Sequence, residues 1–388
     1  MKIVKYIIAA LLLLGIAAFA AKKFYVVNPP IKVLAPDYKG DLPLESLQLK
    51  DGFAIGVYAQ EVTNARSMAV SPSGTVFVGN RGEERVYALQ DLDGDMVAET
   101  KHVIYDGGVM PNGVALKDGD LYVAEVSRIL RWKDIESKLD NPGEPEVIRD
   151  DYPSEQHHGW KYIAFGPDDK LYVPVGAPCN ICESDSIYAS ITRIDPDGSN
   201  LEIVQHGVRN TVGFDWHPET GELWFTDNGR DMMGDDIPAC EINHAPMDGM
   251  HFGYPYCHQG DLLDPEFGEG KDCADYTAPA LKLGAHVAPL GIEFYEGDQF
   301  PPEYKGRAIW AEHGSWNRSK KSGYRIMMAD VAADGSVSNA DVLVEGWLDH
   351  DSQKVWGRPV DIEHLSDGSL LISDDFADVV YRLYFAGT

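Results

Sequence analysis

The sequence predicts an all-β fold, a six-bladed β-propeller with inserted loops on one face. Three observations predict it. One phrase recurs six times: a short apolar strand, a turn of Pro, Asp, Ser and Gly, then a second strand ending in aromatic or β-branched residues. Almost no segment of the 388 residues sustains helical periodicity. The 38 Gly and 23 Pro are distributed rather than clustered, which marks many turns instead of disorder. A unit of three or four strands cannot bury both faces by itself, so regularly spaced units must stack, and radial stacking also protects strand edges. A sandwich or two smaller barrels would leave six similar hairpins unexplained.

Taken in order, the chain opens with Lys2 and Lys5 ahead of an apolar run from Tyr6 to Ala21, followed by Lys22 and Lys23. Residues 1–21 therefore read as an export leader. Two fates stay open: cleavage at the A-x-A site after Ala20, or retention as a membrane anchor slightly short for a bilayer. Residues 22–46 form a Pro-rich, extended lead-in. Residues 47–388 form the propeller domain. Its hairpins are SMAVSPSGTVFVGN from Ser67, NGVALKDGDLYVAE from Asn112, YIAFGPDDKLYVPV from Tyr162, VGFDWHPETGELWFTD from Val212, LGIEFYEG with GRAIWAEH from Leu290, and PVDIEHLSDGSLLISD from Pro359. Most are trailed by a third strand, such as RVYAL, RILRW, SITRID, YRIMMADV or VVYRLYF. The first four copies start about 45 to 50 residues apart, an ordinary blade length. Longer intervals later in the chain are expected to hold inserted loops at Asp231 to Ala288 and Asn317 to Gly357, where binding groups gather on a rigid wheel.

Charge narrows the function. With 33 Lys+Arg against 62 Asp+Glu the formal charge is −29, which excludes a cationic nucleic-acid binder. Export places the chain in the periplasm or outside the cell and lets disulfides persist among its five cysteines. Two bridges with Cys240 left over is the preferred count. Cys179 and Cys182 form a C-x-x-C that reads as a structural staple, because a zinc knuckle needs two more ligands and a c-type haem needs His in place of Glu183. Cys257 and Cys273 sit sixteen residues apart in a Gly-rich acidic loop.

Polar residues flanking the hairpins carry the chemistry. His157 and His158 precede the third hairpin, and a neutral imidazole there can accept a proton at neutral pH. Arg209 and Asn210 precede the fourth, a cation and an amide able to stabilise a developing oxyanion. The stretch from Asp227 through Asn228, Gly229, Arg230 and Asp231 follows it, with Asp235 and Asp236, and is rich in oxygen donors for a hard cation such as calcium. The chain holds no G-x-G-x-x-G, no G-x-S-x-G and no H-E-x-x-H, so nicotinamide, serine-esterase and zincin chemistries are unsupported. Base-assisted oxidation on a bound cofactor and metal-assisted hydrolysis remain.

With HHGWKYIAFGPDDKLYVPVG, HGVRNTVGFDWHP, TDNGRDMMGDDIP, EHGSWNRSKKSGYRI and GRPVDIEHLSDGSLLISDD in view, the chain resembles the soluble quinoprotein sugar dehydrogenases, particularly the sorbosone dehydrogenase branch. The resemblance runs from about Leu47 to the C-terminus. It implies pyrroloquinoline quinone and Ca2+ over the central channel, and oxidation of an aldose at its anomeric carbon to a lactone. It implies His158 as general base, Arg209 and Asn210 as quinone contacts, and the main-chain carbonyls of Gly229 and Arg230 as calcium ligands. Arg358 matches a cofactor-binding Arg, while the family's second Arg is Val360 here. A family Lys corresponds to Lys321, or its role passes to Arg318. Trp160, Trp216 and Trp316 are either walls for a planar ring or packing between blades. No C-x-x-C-H is present, so electrons leave to a separate protein or soluble carrier. A calcium-dependent lactonase and a noncatalytic sugar- or protein-binding propeller are the alternatives. Asp91, Asp93, Asp95 and Glu99 alternate like a calcium loop, though the glycine falls at the fourth position where an EF-hand needs it at the sixth, so a solvated turn fits equally.

Overall fold

The computed structural model describes residues 42–387, together with Tyr6, Ala10, Leu11 and Gly15. The leader expected at 1–21 and most of the lead-in at 22–46 lie outside the described residues. Among the described residues no helix is long and apolar enough to cross a membrane.

Six antiparallel sheets follow one another as the six hairpins require. Blade 1 holds Ala65–Val70, Val76–Asn80, Arg85–Gln90 and Thr100–Asp106; blade 2 holds Gly113–Lys117, Asp120–Ala124, Ile129–Trp132 and Glu146–Arg149. Blade 3 comprises Ala164–Phe165, Leu171–Val175, Ser190–Ile194 and Glu202–His206, and blade 4 comprises Phe214–Trp216, Leu223–Asp227, Ala239–Ala245 and Leu281–Ala285. Blade 5 is built from Pro289–Phe294, Ala308–Glu312, Arg325–Val331 and Val337–Glu345. Blade 6 takes Pro359–His364, Leu370–Asp374 and Val379–Phe385 from the end of the chain. Its fourth strand is Phe53–Gln60, paired from Phe53 with Phe385 to Gln60 with Val379. The wheel is thus closed by backbone hydrogen bonds between the two ends of the domain.

Alternation along each strand explains how the blades stack, since successive side chains point to opposite faces. In blade 1, Val76 and Val78 face Leu371 and Val380 of blade 6, whereas Phe77 between them faces Val114 and Leu121 of blade 2. In blade 4, Leu223 and Phe225 join Tyr172 and Ile191 of blade 3, and Trp224 joins Ile292 and Trp310 of blade 5. Each neighbouring pair of blades therefore shares one apolar layer. First strands crowd the axis, where glycines are required by contact: a Cβ on Gly213 would come 2.2 Å from the Leu290 carbonyl oxygen, and one on Gly291 would come 2.3 Å from Asp361 Oδ1.

The expected inserted loops need correction. Ala239–Ala245 and Leu281–Ala285 are the third and fourth strands of blade 4, and Arg325–Val331 and Val337–Glu345 are those of blade 5. Both intervals look long because each carries two ordinary strands plus a shorter excursion. The excursion in blade 4 contributes Met250–His251, parallel to the outer strand of blade 3, and a small hairpin of Cys257–His258 with Leu262–Leu263. Disulfides join Cys179 to Cys182 and Cys257 to Cys273, and Cys240 is free and buried.

Leu383, fully buried in the layer between blades 5 and 6, lies on the closing strand. Leu383→Ala is expected to cost about 2–5 kcal/mol, read as a lower denaturant midpoint, through lost transfer energy and the cavity left behind.

Candidate active site

In a hairpin the residues before the first strand and those after the second emerge at the same end. Six hairpins around one axis therefore bring twelve such segments to one face. There they enclose a cavity of about 570 Å³. His157, His158 and Trp160 enter it ahead of blade 3, Arg209 and Asn210 ahead of blade 4, and Arg358 ahead of blade 6. Turns after second strands supply Arg81, Gly229 with Asp231, and His313 with Trp316.

His158 is buried with a left-handed backbone, φ 52°, and its Nδ1 lies 2.8 Å from the Ala177 carbonyl. A carbonyl only accepts, so Nδ1 carries the hydrogen and Nε2 keeps the lone pair. Burial, then the charge of Arg209, then His157 hold its pKa well below the ordinary imidazole value. His158 is accordingly a neutral proton acceptor at neutral pH.

Arg209 is fixed on all sides. Its Nε donates to the Asn180 carbonyl at 2.9 Å, Nη2 to Asn180 Oδ1 at 2.9 Å and Nη1 to the Asn228 carbonyl at 3.0 Å. Asp227 accepts from the backbone N–H groups of Arg209 at 2.8 Å and Asn210 at 2.7 Å. Two of the five guanidinium N–H groups are left over from these bonds for a ligand.

A second part of the lining is a relay of charges. Arg66 reaches Asp375 at 2.7 Å, Asp375 accepts from His313 Nε2 at 2.8 Å, and His313 Nδ1 accepts from Arg358 at 2.9 Å. Burial, then Arg358, push the His313 pKa down to about 4. The guanidinium of Arg81 lies 3.8 Å above the Trp160 ring, a cation–π contact. Burial, then Arg66, lower its pKa to about 10, which leaves it charged at neutral pH. Four guanidinium groups thus line a cavity inside a protein of net charge −29.

The family model described as glucose/sorbosone dehydrogenase matches residues 62–312, well over half of the chain, and a TrAA12-like model matches residues 262–384. The chain belongs to the glucose/sorbosone dehydrogenase family. An uncharacterised protein of Borreliella burgdorferi is 32% identical over 356 residues, covering 88% of this chain and 91% of its own. The holo pyranose dehydrogenase PQQ domain of Coprinopsis cinerea superposes with TM-score 0.73 at 18% identity, over 90% of this chain and 98% of its own. The calcium structure of the Trichoderma reesei family AA12 enzyme gives TM-score 0.76 at 18% identity, over 92% and 99%. The PQQ-bound aldose sugar dehydrogenase of Streptomyces coelicolor gives 0.63 at 18%, over 87% and 99%. At these identities the likeness to the solved structures is one of fold.

Of the residues singled out in this family member's sequence, His158, Arg209, Asn210, Gly229 and Arg358 line the one cavity. The Arg230 side chain turns away from it into a buried ion pair with Asp264, which also holds His258 at 2.8 Å. Arg318 and Lys321 sit elsewhere. Arg318 donates to the Asp235 carbonyl at 3.1 Å and pairs with Asp236 at 3.3 Å, while Lys321 donates to the Gln353 carbonyl. Trp160 and Trp316 are cavity walls, whereas Trp216 packs between blades 3 and 4 against Tyr172 and Phe214. Val360 is buried with Val212 and Leu290, against Trp160. Arg66, Arg81, His286 and His313 were not foreseen, although Arg66 sits at the start of the first strand of blade 1 and the other three flank strands as His158 does.

Asp91, Asp93, Asp95 and Glu99 have carboxylate oxygens within 4.8 Å of one another. They accept from backbone N–H groups of their own loop, including those of Leu92, Gly94 and Met96.

His313 generates a test of pH-dependent stability. Its folded pKa lies below the unfolded value near 6.5, so between about pH 6.5 and 4 the unfolded chain binds a proton that the folded one refuses, and stability falls with pH. Denaturation of apo-protein should show the wild type losing about 3 kcal/mol more than His313→Gln from pH 7 to pH 4.

Proposed function

We propose that this protein oxidises an aldose or related sugar at its anomeric carbon, with His158 as general base and pyrroloquinoline quinone as hydride acceptor. The observation that carries the reading is one cavity lined by both a neutral imidazole with a fixed tautomer and an immobilised guanidinium. Its fit to the cofactor rests on charge and size: a polycarboxylate finds four guanidinium groups and about 570 Å³. Arg209, Asn210 and Arg358 would hold the quinone, and Arg81 adds a fourth contact. Arg318 and Lys321, committed to other partners, are left out of that set. The main-chain carbonyls of Gly229 and Arg230, with the carboxylate of Asp231 beside them, offer oxygen donors for Ca2+. When bound, the quinone supplies a two-electron acceptor for hydride and the calcium a Lewis acid.

The chain's own residues do the rest. The sugar's anomeric hydroxyl gives its proton to His158 Nε2 while hydride leaves the same carbon, and a lactone results. Arg209, already held by Asn180 and Asn228, would offer its remaining N–H groups to a quinone oxygen and stabilise negative charge there. Trp316, 44% exposed at the cavity mouth, offers an aromatic face to the sugar ring. The leader at 1–21, together with the two disulfides, supports export, and electrons pass on to a separate acceptor.

The test is to add quinone and Ca2+ to purified apo-protein and look for a bound chromophore bleached by aldoses. His158→Ala should lower kcat about 10²- to 10⁴-fold while quinone affinity stays within about threefold. Lactone turnover without quinone would instead make the protein a hydrolase, and binding of sugar without either would make it a lectin-like wheel.

A further inference from the structure

One loop touches both halves of the proposed chemistry. It joins the second and third strands of blade 3 and runs from Gly176 to Ala189. The Ala177 carbonyl accepts from His158 Nδ1 at 2.8 Å, and the Ala177 N–H donates to the Arg209 carbonyl at 2.8 Å. Gly176 presses on His158 so closely that a Cβ there would come 2.6 Å from the imidazole's own Cβ. Four residues on from Gly176, Asn180 takes hold of the guanidinium with two oxygens, its carbonyl and Oδ1, each at 2.9 Å. The same Oδ1 accepts from the Asp231 N–H at 2.8 Å, and Nδ2 donates to the Asp231 carbonyl at 3.0 Å. Asn180 lies inside the ring closed by Cys179 and Cys182, and that ring is braced by Tyr254, whose hydroxyl accepts from the Cys182 N–H at 3.1 Å.

These contacts give the C-x-x-C a purpose beyond stapling. We infer that Asn180, held in the loop closed by the Cys179–Cys182 disulfide, is a positioning residue that sets Arg209 and the Asp231 backbone against His158. The inference rests on the dehydrogenase reading and adds a residue to it. Asn180 does its work by geometry: an open, mobile loop would let the guanidinium swing while leaving every cavity side chain present. A planar amide oxygen aligned with the main-chain carbonyl presents two acceptors to the Nε–Nη2 edge, which a shorter side chain cannot reproduce.

The experiment compares wild type, Asn180→Ala, Asn180→Asp and Cys179→Ala/Cys182→Ala, each loaded with quinone and Ca2+. Loss of one charge-assisted hydrogen bond to Arg209 should lower kcat about 10- to 100-fold in Asn180→Ala, with KM for sugar changed less than about threefold. Because Arg209 helps depress the His158 pKa, freeing it should also move the acid limb of the pH–rate profile to higher pH. Asn180→Asp, which keeps an oxygen for Arg209 but loses the donor to the Asp231 carbonyl, should recover only part of the rate. The double cysteine variant, with Asn180 intact, should shift both readouts in the same direction by less, and it carries the test if Asn180→Ala does not fold. Wild-type kcat and an unmoved acid limb in the soluble variants would overturn the inference, as would a lower melting temperature with unchanged kinetics. A wild-type protein that binds quinone but turns over no sugar would overturn the parent reading and this inference with it.

Discussion

Antiparallel pairing of Phe53–Gln60 with Val379–Phe385 closes the wheel, and everything at the hub depends on that closure. Each blade is apolar on both faces, so a linear stack would end in two bare surfaces; a ring has none. Closure also fixes the circumference. First strands from six blades must then converge, and their neighbours come close enough that Gly213 and Gly291 have no room for a side chain.

Convergence brings a cost of its own, because it concentrates Arg66, Arg81, Arg209 and Arg358 in one partly desolvated space. The protein meets it with local partners rather than bulk negative charge. Asp375 serves Arg66 and His313 together, and Asp231 lies 3.6 Å from Arg209. Asp227 does something different: its two oxygens accept from main-chain N–H groups, so the chain is pinned where the functional side chains begin.

The wheel was legible because its signal is local. Hairpins such as YIAFGPDDKLYVPV announce themselves through period-2 alternation and turn residues, and five of the six third strands did so too. The third strand of blade 4, ACEINHA, went unseen because it carries Glu241, Asn243 and His244, which broke the apolar pattern although Glu241 and Asn243 are buried. At the hub the reading reached His158, Arg209, Asn210, Gly229 and Arg358 because distinctive phrases surround them. It missed Arg81 because a lone cation after a strand has no local mark, and within EHGSWNRSKKSGYRI it settled on Arg318 and Lys321 rather than His313; only the circular arrangement shows that all such positions face one point. Arg318 and Lys321 present the converse case. Their phrase matched, but the loop between the second and third strands of blade 5 brings them to Asp235 and Gln353.

The contrast between an acidic shell and a basic hub has a kinetic consequence. An anionic molecule diffusing toward the wheel is repelled by the far field of a −29 protein and attracted only after it has passed the rim. Dissolved salt shortens the outer repulsion, whose reach is about 8 Å at physiological ionic strength, and scarcely touches the buried attraction. Capture is therefore expected to quicken as ionic strength rises, the reverse of ordinary electrostatic steering.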